Sequence, residues 1–241
     1  MSSLLLVRHG QARFLSEDYD RLSNLGEQQA RALAEFWLQR GIRPNRVYSG
    51  SLLRQQRTAQ VVGEIFQASG EQWPAIEVIP GLNEYPADEI VAQLGPALAA
   101  NDPDLAALLE TAEQASDEAS RYRSVHRMLE AVIARWVHGD YDDSLVPGLM
   151  RWQAFSNGVR AALQAIMAKA QPGSTVAVFT SGGPVGVSLQ TVLEAPDIKA
   201  AETNWRVHNC SVTRFTFSGA RISLDSFNDV SHLHSDFLTY R

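Results

Sequence analysis

The chain has 241 residues, and its hydrophobic content of 45% is enough for a substantial buried core. Its net charge of -6 argues against a nucleic-acid-binding surface, and its single cysteine excludes an internal disulfide and a thiolate zinc site. No apolar run is long enough to span a membrane and no signal-peptide pattern is present, so we expect a cytoplasmic protein without a membrane partner.

The first third of the chain alternates short apolar runs with segments of helical periodicity. The predicted elements are a strand at 4–7, a helix at 23–41, a strand at 46–49, a helix at 52–68 and a strand at 76–79. This alternation is typical of βαβ units in a parallel sheet.

Residues 87–146 form a long insertion with a helical pattern throughout and no strand. We interpret it as a helical cap within a single domain that spans residues 1–241, because loosely amphipathic helices gain stability by packing on a larger core. After it, a helix at 150–170, a strand at 175–180, a helix at 185–193 and a hairpin at 212–227 are predicted. The fold class is therefore α/β, a three-layer α/β/α sandwich with a mostly parallel central sheet.

Polar and glycine-rich segments follow two of the predicted strands directly. Arg8-His9-Gly10 follows the first strand, and Ser181-Gly182-Gly183-Pro184 follows the strand at 175–180. Open α/β sheets bind ligands at the carboxyl ends of their strands, and a helix that starts at Gly182 would offer free N–H groups to an anion. Alone, the tripeptide is equally compatible with a structural histidine.

Several segments together resemble the histidine phosphatase superfamily, also called the phosphoglycerate mutase-like family. The matching segments lie at 4–10, 22–30, 47–59, 82–84 and 209–213. The resemblance covers both ends of the chain but not the insertion. It implies a phosphatase that acts on a small phosphorylated molecule through a phosphohistidine, without a metal or another cofactor.

By this resemblance, His9 is the nucleophile, and Arg8 and Arg54 bind the phosphoryl oxygens through charge-assisted hydrogen bonds. The family spacing Arg-x-x-x-Thr-Ala selects Arg54. We expect Arg57 either at the surface or in contact with residues that bind the phosphoryl group. Glu84 would be the general acid that protonates the leaving oxygen.

Two carboxylates and one serine leave alternatives open. Asp88 and Glu89 could replace Glu84 as the acid. Ser181 stands where the family normally has a second histidine; it could bind a phosphate oxygen together with Gly182, or it could cap a helix. His208 is a less favoured substitute for that histidine, and His232-Leu233-His234 is expected to be a solvated C-terminal segment rather than a metal site.

Three functions are compatible with these residues. The first is hydrolysis of a phosphomonoester, and the second is phosphate binding by a catalytically weak or inactive pseudoenzyme, as Ser181 suggests. The third is a phosphoglycerate mutase, which is disfavoured because Gln11 replaces a glutamate and residues 12–17 lack a Trp-Asn pair. The natural substrate and the oligomeric state stay open.

Overall fold

The computed structural model describes residues 1–13, 20–114 and 117–240. The chain divides into two compact units, Met1–Glu84 with Gly158–Arg241, and Tyr85–Asn157. The second unit contains the predicted insertion at 87–146, and the role of that insertion as a cap stays a prediction. No helix in the described part of the chain is long and apolar enough to cross a membrane.

The first unit is built on one six-stranded sheet with the order β3-β2-β4-β1-β5-β6. Its strands are β1 (Ser2–Arg8), β2 (Arg46–Ser49), β3 (Ile76–Val78), β4 (Thr175–Thr180), β5 (Val212–Ser218) and β6 (Arg221–Asp229). The first four strands are parallel, while β5 and β6 are antiparallel to their neighbours. The pairing of Arg8 with Thr180 brings the carboxyl ends of β1 and β4 side by side.

Eight helices occur in the described residues. They are α1 (Asn24–Gln39), α2 (Leu53–Ala68), α3 (Ala87–Ala99), α4 (Pro103–Gln114), α5 (Glu118–His138), α6 (Trp152–Lys169), α7 (Gly182–Val192) and α8 (Ile198–Asn204). Helix α7 begins at Gly182, three residues before the periodic pattern at 185–193, and Pro184 fits its first turn because no N–H partner is needed there. Helix α8 was not predicted, since seven residues are too few to show helical periodicity.

Side chains of β1 alternate between two apolar layers. Leu5 and Val7 belong to the buried cluster that includes Trp37 of α1 and Phe66 of α2. On the opposite face, Leu4 lines an apolar cavity of about 620 Å³ with side chains of α6 and α7. The α/β unit therefore has helices on both faces of a mostly parallel sheet, as the sequence predicts.

The second unit, Tyr85–Asn157, has an aromatic core of its own. The ring of Trp136 lies 5.2 Å from that of Tyr85 and 5.5 Å from that of Trp152, between centroids. Its indole N–H donates to the carbonyl of Met150 at 2.6 Å. Such aromatic packing accounts for the compactness of this unit.

Candidate active site

The segments that resemble the histidine phosphatase superfamily meet at the backbone. A Cβ on Gly10 would lie 2.4 Å from the carbonyl oxygen of Gly26, so the two backbone segments approach more closely than a side chain would allow. The N–H of Gly10 donates to Thr58 Oγ1 at 3.0 Å, and Asn209 Nδ2 donates to the carbonyl of His9 at 3.3 Å. Three distant segments thus fix the loop that carries His9.

The imidazole of His9 is held in one tautomer. Its Nδ1 lies 2.7 Å from the carbonyl oxygen of Gly10, which can only accept, so Nδ1 carries the proton. Its Nε2 accepts from Nε of Arg54 at 3.1 Å. Burial, together with the positive charges of Arg54 and Arg8, lowers the pKa of His9 well below 6.5. His9 is therefore a neutral imidazole with its lone pair at Nε2.

The positive charges of both predicted arginines act on His9, but the two side chains have different hydrogen-bond partners. Arg54 is buried, and its Nη1 forms an ion pair of 2.7 Å with Asp20. Arg8 is half-buried, and its Nη1 donates to the carbonyl of Val207. The site therefore combines a neutral histidine with two oriented cations, an arrangement that favours binding of an oxyanion.

Ser181 occupies the N-cap position of α7 but makes no capping hydrogen bond with its side chain. Its Oγ instead accepts from Nε2 of Gln55 at 2.8 Å, and the same amide nitrogen donates to the carbonyl of Leu82 at 3.1 Å. Both Ser181 and Gln55 are completely buried. Because Gln55 supplies the hydrogen in this bond, the proton of the Ser181 hydroxyl can still be donated elsewhere.

Glu84 is placed at the start of α7. Its Oε2 accepts from the N–H of Gly183 at 3.0 Å, so this N–H is bonded within the protein. A Cβ on Gly182 would lie 1.9 Å from Asn204 Oδ1, which explains the need for glycine there. The structure thus brings Glu84, Ser181 and Gly182 to one helix N-terminus at the same sheet edge as His9.

Asp88 and Glu89, the alternative acids, belong to the second unit, where they are exposed in the first turn of α3. Their role stays a prediction. Arg57 is half-buried and forms ion pairs with Glu27 and Glu64, which agrees better with a surface position than with a contact to the site.

His208 contacts residues of the C-terminal part of the chain. Its N–H donates to Asn228 Oδ1 at 2.8 Å, and its ring lies 4.1 Å from that of Tyr240. A substitute role for His208 in catalysis has no support from these contacts.

Two residues of the site were missed by the sequence analysis, namely Asp20 and Gln55. Asp20 follows residues 14–19, where no periodic pattern assigns a structural role. Gln55 lies inside the motif of Arg54, and only its burial distinguishes it from the adjacent Gln56. Polar residues of this kind become recognisable only when their partners are known.

The interpretation of residues 232–234 as a solvated segment is wrong for His232. This side chain is half-buried, and its Nε2 donates to the carbonyl of Cys210 at 3.0 Å. Burial lowers the pKa of His232 to about 4, against the opposing effects of that hydrogen bond and of Asp229. The carbonyl acceptor explains the burial, since it satisfies the ring without a charge.

Stability should therefore fall in mild acid. Above pH 6.5 the unfolded and folded His232 are both neutral, whereas between 6.5 and about 4 only the unfolded form takes up a proton. From pH 7 to pH 5 this lowers the free energy of unfolding by about 2 kcal/mol. In His232→Gln, which keeps an N–H donor, urea unfolding should show a pH-dependent loss smaller by that amount. An unchanged loss would contradict the assignment, and the exposed His234→Gln serves as control.

The sequence matches the model of the histidine phosphatase superfamily (branch 1) over residues 4–146 and 115–230. No curated protein sequence matches the chain. Solved structures with low sequence identity share the fold.

Three of these structures cover nearly the whole chain. Phosphoserine phosphatase from Entamoeba histolytica, in complex with 3-phosphoglyceric acid, is 20% identical, covers 97% of this chain and 100% of its own, and has a TM-score of 0.62. Phosphoglycerate mutase from Bacillus anthracis is 19% identical over 96% of this chain and 94% of its own, with a TM-score of 0.63. Mycobacterial glucosyl-3-phosphoglycerate phosphatase, with inorganic phosphate, is 21% identical over 96% and 99%, with a TM-score of 0.60.

The family model spans most of the chain, including both strand ends that carry His9 and Ser181. The shared fold of the three structures agrees with this match. The chain therefore belongs to the histidine phosphatase superfamily.

Proposed function

We propose that the chain hydrolyses a phosphomonoester of a small molecule through a phosphohistidine at His9, without a metal ion. The observation that carries this proposal is the state of His9: a buried, neutral imidazole whose Nε2 lone pair faces the guanidinium of Arg54 at 3.1 Å. Burial and two adjacent arginines keep the imidazole neutral, and the arginines would attract the oxygens of a phosphate group. This combination suits a nucleophile that attacks an anion.

In the first step, the Nε–H of Arg54 shifts its hydrogen bond from His9 Nε2 to a phosphoryl oxygen. The freed lone pair of Nε2 then forms a bond to phosphorus while the phosphorus–oxygen bond of the ester breaks. Arg54 and Arg8 then bind the phosphoryl oxygens, whose charge is spread in a loose transition state. Glu84, whose carboxyl group lies at the same sheet edge as His9, donates its proton to the leaving alkoxide. The products are an alcohol and a phosphohistidine.

In the second step, water attacks the phosphorus and the phosphorus–nitrogen bond breaks. Glu84, now ionised, takes one proton from the water, and the electron pair returns to Nε2. The hydrogen bond from Nδ1 to Gly10 keeps the imidazole in the same tautomer throughout. Phosphate leaves and the site is restored.

The Ser181 hydroxyl would bind a phosphoryl oxygen, together with the N-terminus of α7 at Gly182. Gln55 donates to its Oγ, so the hydroxyl proton can be donated to a phosphoryl oxygen. A neutral hydroxyl replaces only part of what a histidine would supply, and losing such a donor costs roughly 10² to 10³ in rate. This difference favours, as a second candidate, a pseudoenzyme that binds phosphate with little turnover.

The test is hydrolysis of an aryl phosphate with EDTA present, combined with trapping of the phosphoenzyme at neutral or alkaline pH. We expect phosphate release that survives chelation and a phosphoryl group found by mass spectrometry on His9. Tight binding of inorganic phosphate without release from any ester would favour the pseudoenzyme. Transfer of labelled phosphate to a second hydroxyl of phosphoglycerate, rather than to water, would show a mutase.

A further inference from the structure

Asp20 binds the guanidinium of Arg54 from the side away from His9. The contact with His9 is made by Nε, which shares one edge of the guanidinium with Nη2, whereas the 2.7 Å contact with Asp20 Oδ1 is made by Nη1. Arginine presents two parallel donors along each edge. A carboxylate on Nη1 therefore leaves the Nε–Nη2 edge directed at the reacting histidine.

Asp20 also fixes the backbone that carries this arginine. Its Oδ2 accepts from the N–H of Leu53 at 2.8 Å, at the first residue of α2. Leu52, the N-cap residue of that helix, has no side-chain oxygen and makes no capping bond. One carboxylate thus holds both the start of the helix and the far end of the Arg54 side chain.

A second arginine on α2 offers a direct comparison. Arg57 forms ion pairs with Glu27 at 2.9 Å and with Glu64 at 2.6 Å, and it is about one-third exposed. The side chain of Arg54 is only 9% exposed and that of its partner Asp20 is 36% exposed. Because the Arg54–Asp20 pair is less exposed, solvent and salt screen it less than they screen the ion pairs of Arg57.

We infer that Asp20 is a positioning residue that holds Arg54 ready to bind the phosphoryl group. The inference rests on the proposed function only in taking that group to lie at His9. A long side chain that is fixed before the ligand arrives loses less entropy on binding, and the gain appears in affinity and in rate.

The affinity of Asp20→Asn for inorganic phosphate distinguishes a positioning role from one in which Asp20 only repels the anion. Asp20→Asn keeps an oxygen for the N–H of Leu53 but removes the ionic bond to Arg54. Loss of a negative charge near an anion site should by itself tighten binding of inorganic phosphate. If Asp20 positions Arg54, calorimetry should instead show phosphate binding about tenfold weaker. Equal or tighter binding would overturn the inference.

Catalysis and a double mutant give the second test. We expect kcat/KM for an aryl phosphate to fall about 10 to 100-fold in Asp20→Asn. In an Arg54→Lys background, Asp20→Asn should lower kcat/KM by less than about threefold, because an ammonium group has no planar pair of donors to orient. A full cost in that background would show that Asp20 acts through the helix start and would overturn the role assigned to it.

Glu27→Gln, which breaks one ion pair of Arg57, is the matched control and should leave kcat/KM unchanged. Urea unfolding of each variant checks the fold. Absence of turnover in the wild type would contradict the proposed function alone, since the calorimetric comparison of phosphate binding reads the position of Arg54 without catalysis.

Discussion

His9→Ala is expected to lower kcat for an aryl phosphate by about 10⁴-fold or more, because it removes the atom that forms the covalent intermediate. Binding of inorganic phosphate should change far less, since Arg54 remains anchored by its ion pair with Asp20 at 2.7 Å. The measurement is steady-state hydrolysis with EDTA present, set beside calorimetry with inorganic phosphate. Lost turnover with retained binding is the expected pattern for a nucleophile.

A surface histidine provides the control. His234 is exposed and pairs with Asp236, so His234→Ala should retain wild-type kinetics. Hydrolysis that persists in His9→Ala at more than about one-tenth of the wild-type rate would exclude His9 as the nucleophile. Turnover would then have to begin with direct attack by water.

Much of the α/β unit could be predicted because its signals are local. The apolar run before His9 and the helical spacing after Ser23 give the first βαβ elements, and the side chain of Ser23 caps α1. Buried parallel strands have continuous apolar sequences, and the helices have one apolar face. Such patterns do not depend on distant residues.

The hydrogen-bond partners of the site could not be predicted in this way. Ser181 could be placed at the start of a helix, but its bond to Gln55 joins residues that are 126 positions apart. Asp20 and Arg54 are likewise 34 positions apart. A single sequence shows which residues can form hydrogen bonds and does not show which pairs form them.

The contact between Gln55 and Ser181 leads to a prediction about restoring a histidine. An imidazole that follows the Cβ–Oγ direction of Ser181 would run into the Gln55 amide, which now lies 2.8 Å from Oγ. Overpacking of a full core costs about 1 to 3 kcal/mol. Ser181→His alone should therefore destabilise the protein and gain little activity.

Gln55→Ala should provide the space that the imidazole needs. By itself this change leaves the hydroxyl of Ser181 without its amide donor, and we expect kcat to fall a few-fold. Combined with Ser181→His, it should raise kcat above the wild type by about 10²-fold, since a histidine can give the phosphoryl group a stronger and positively charged donor. The two changes would be strongly non-additive, as expected for side chains in contact.

Gln56→Ala is the matched control for this pair, because Gln56 is the adjacent residue and its amide donates outside the site, to the carbonyl of Ser51 at 2.8 Å. The Ser181→His and Gln56→Ala double mutant should behave like Ser181→His alone. Steady-state kinetics with an aryl phosphate, together with urea unfolding, tests all the variants. If Ser181→His with Gln55→Ala folds and binds phosphate but stays at or below the wild-type rate, the serine does not limit turnover, and a phosphate-binding role becomes the better account of the site.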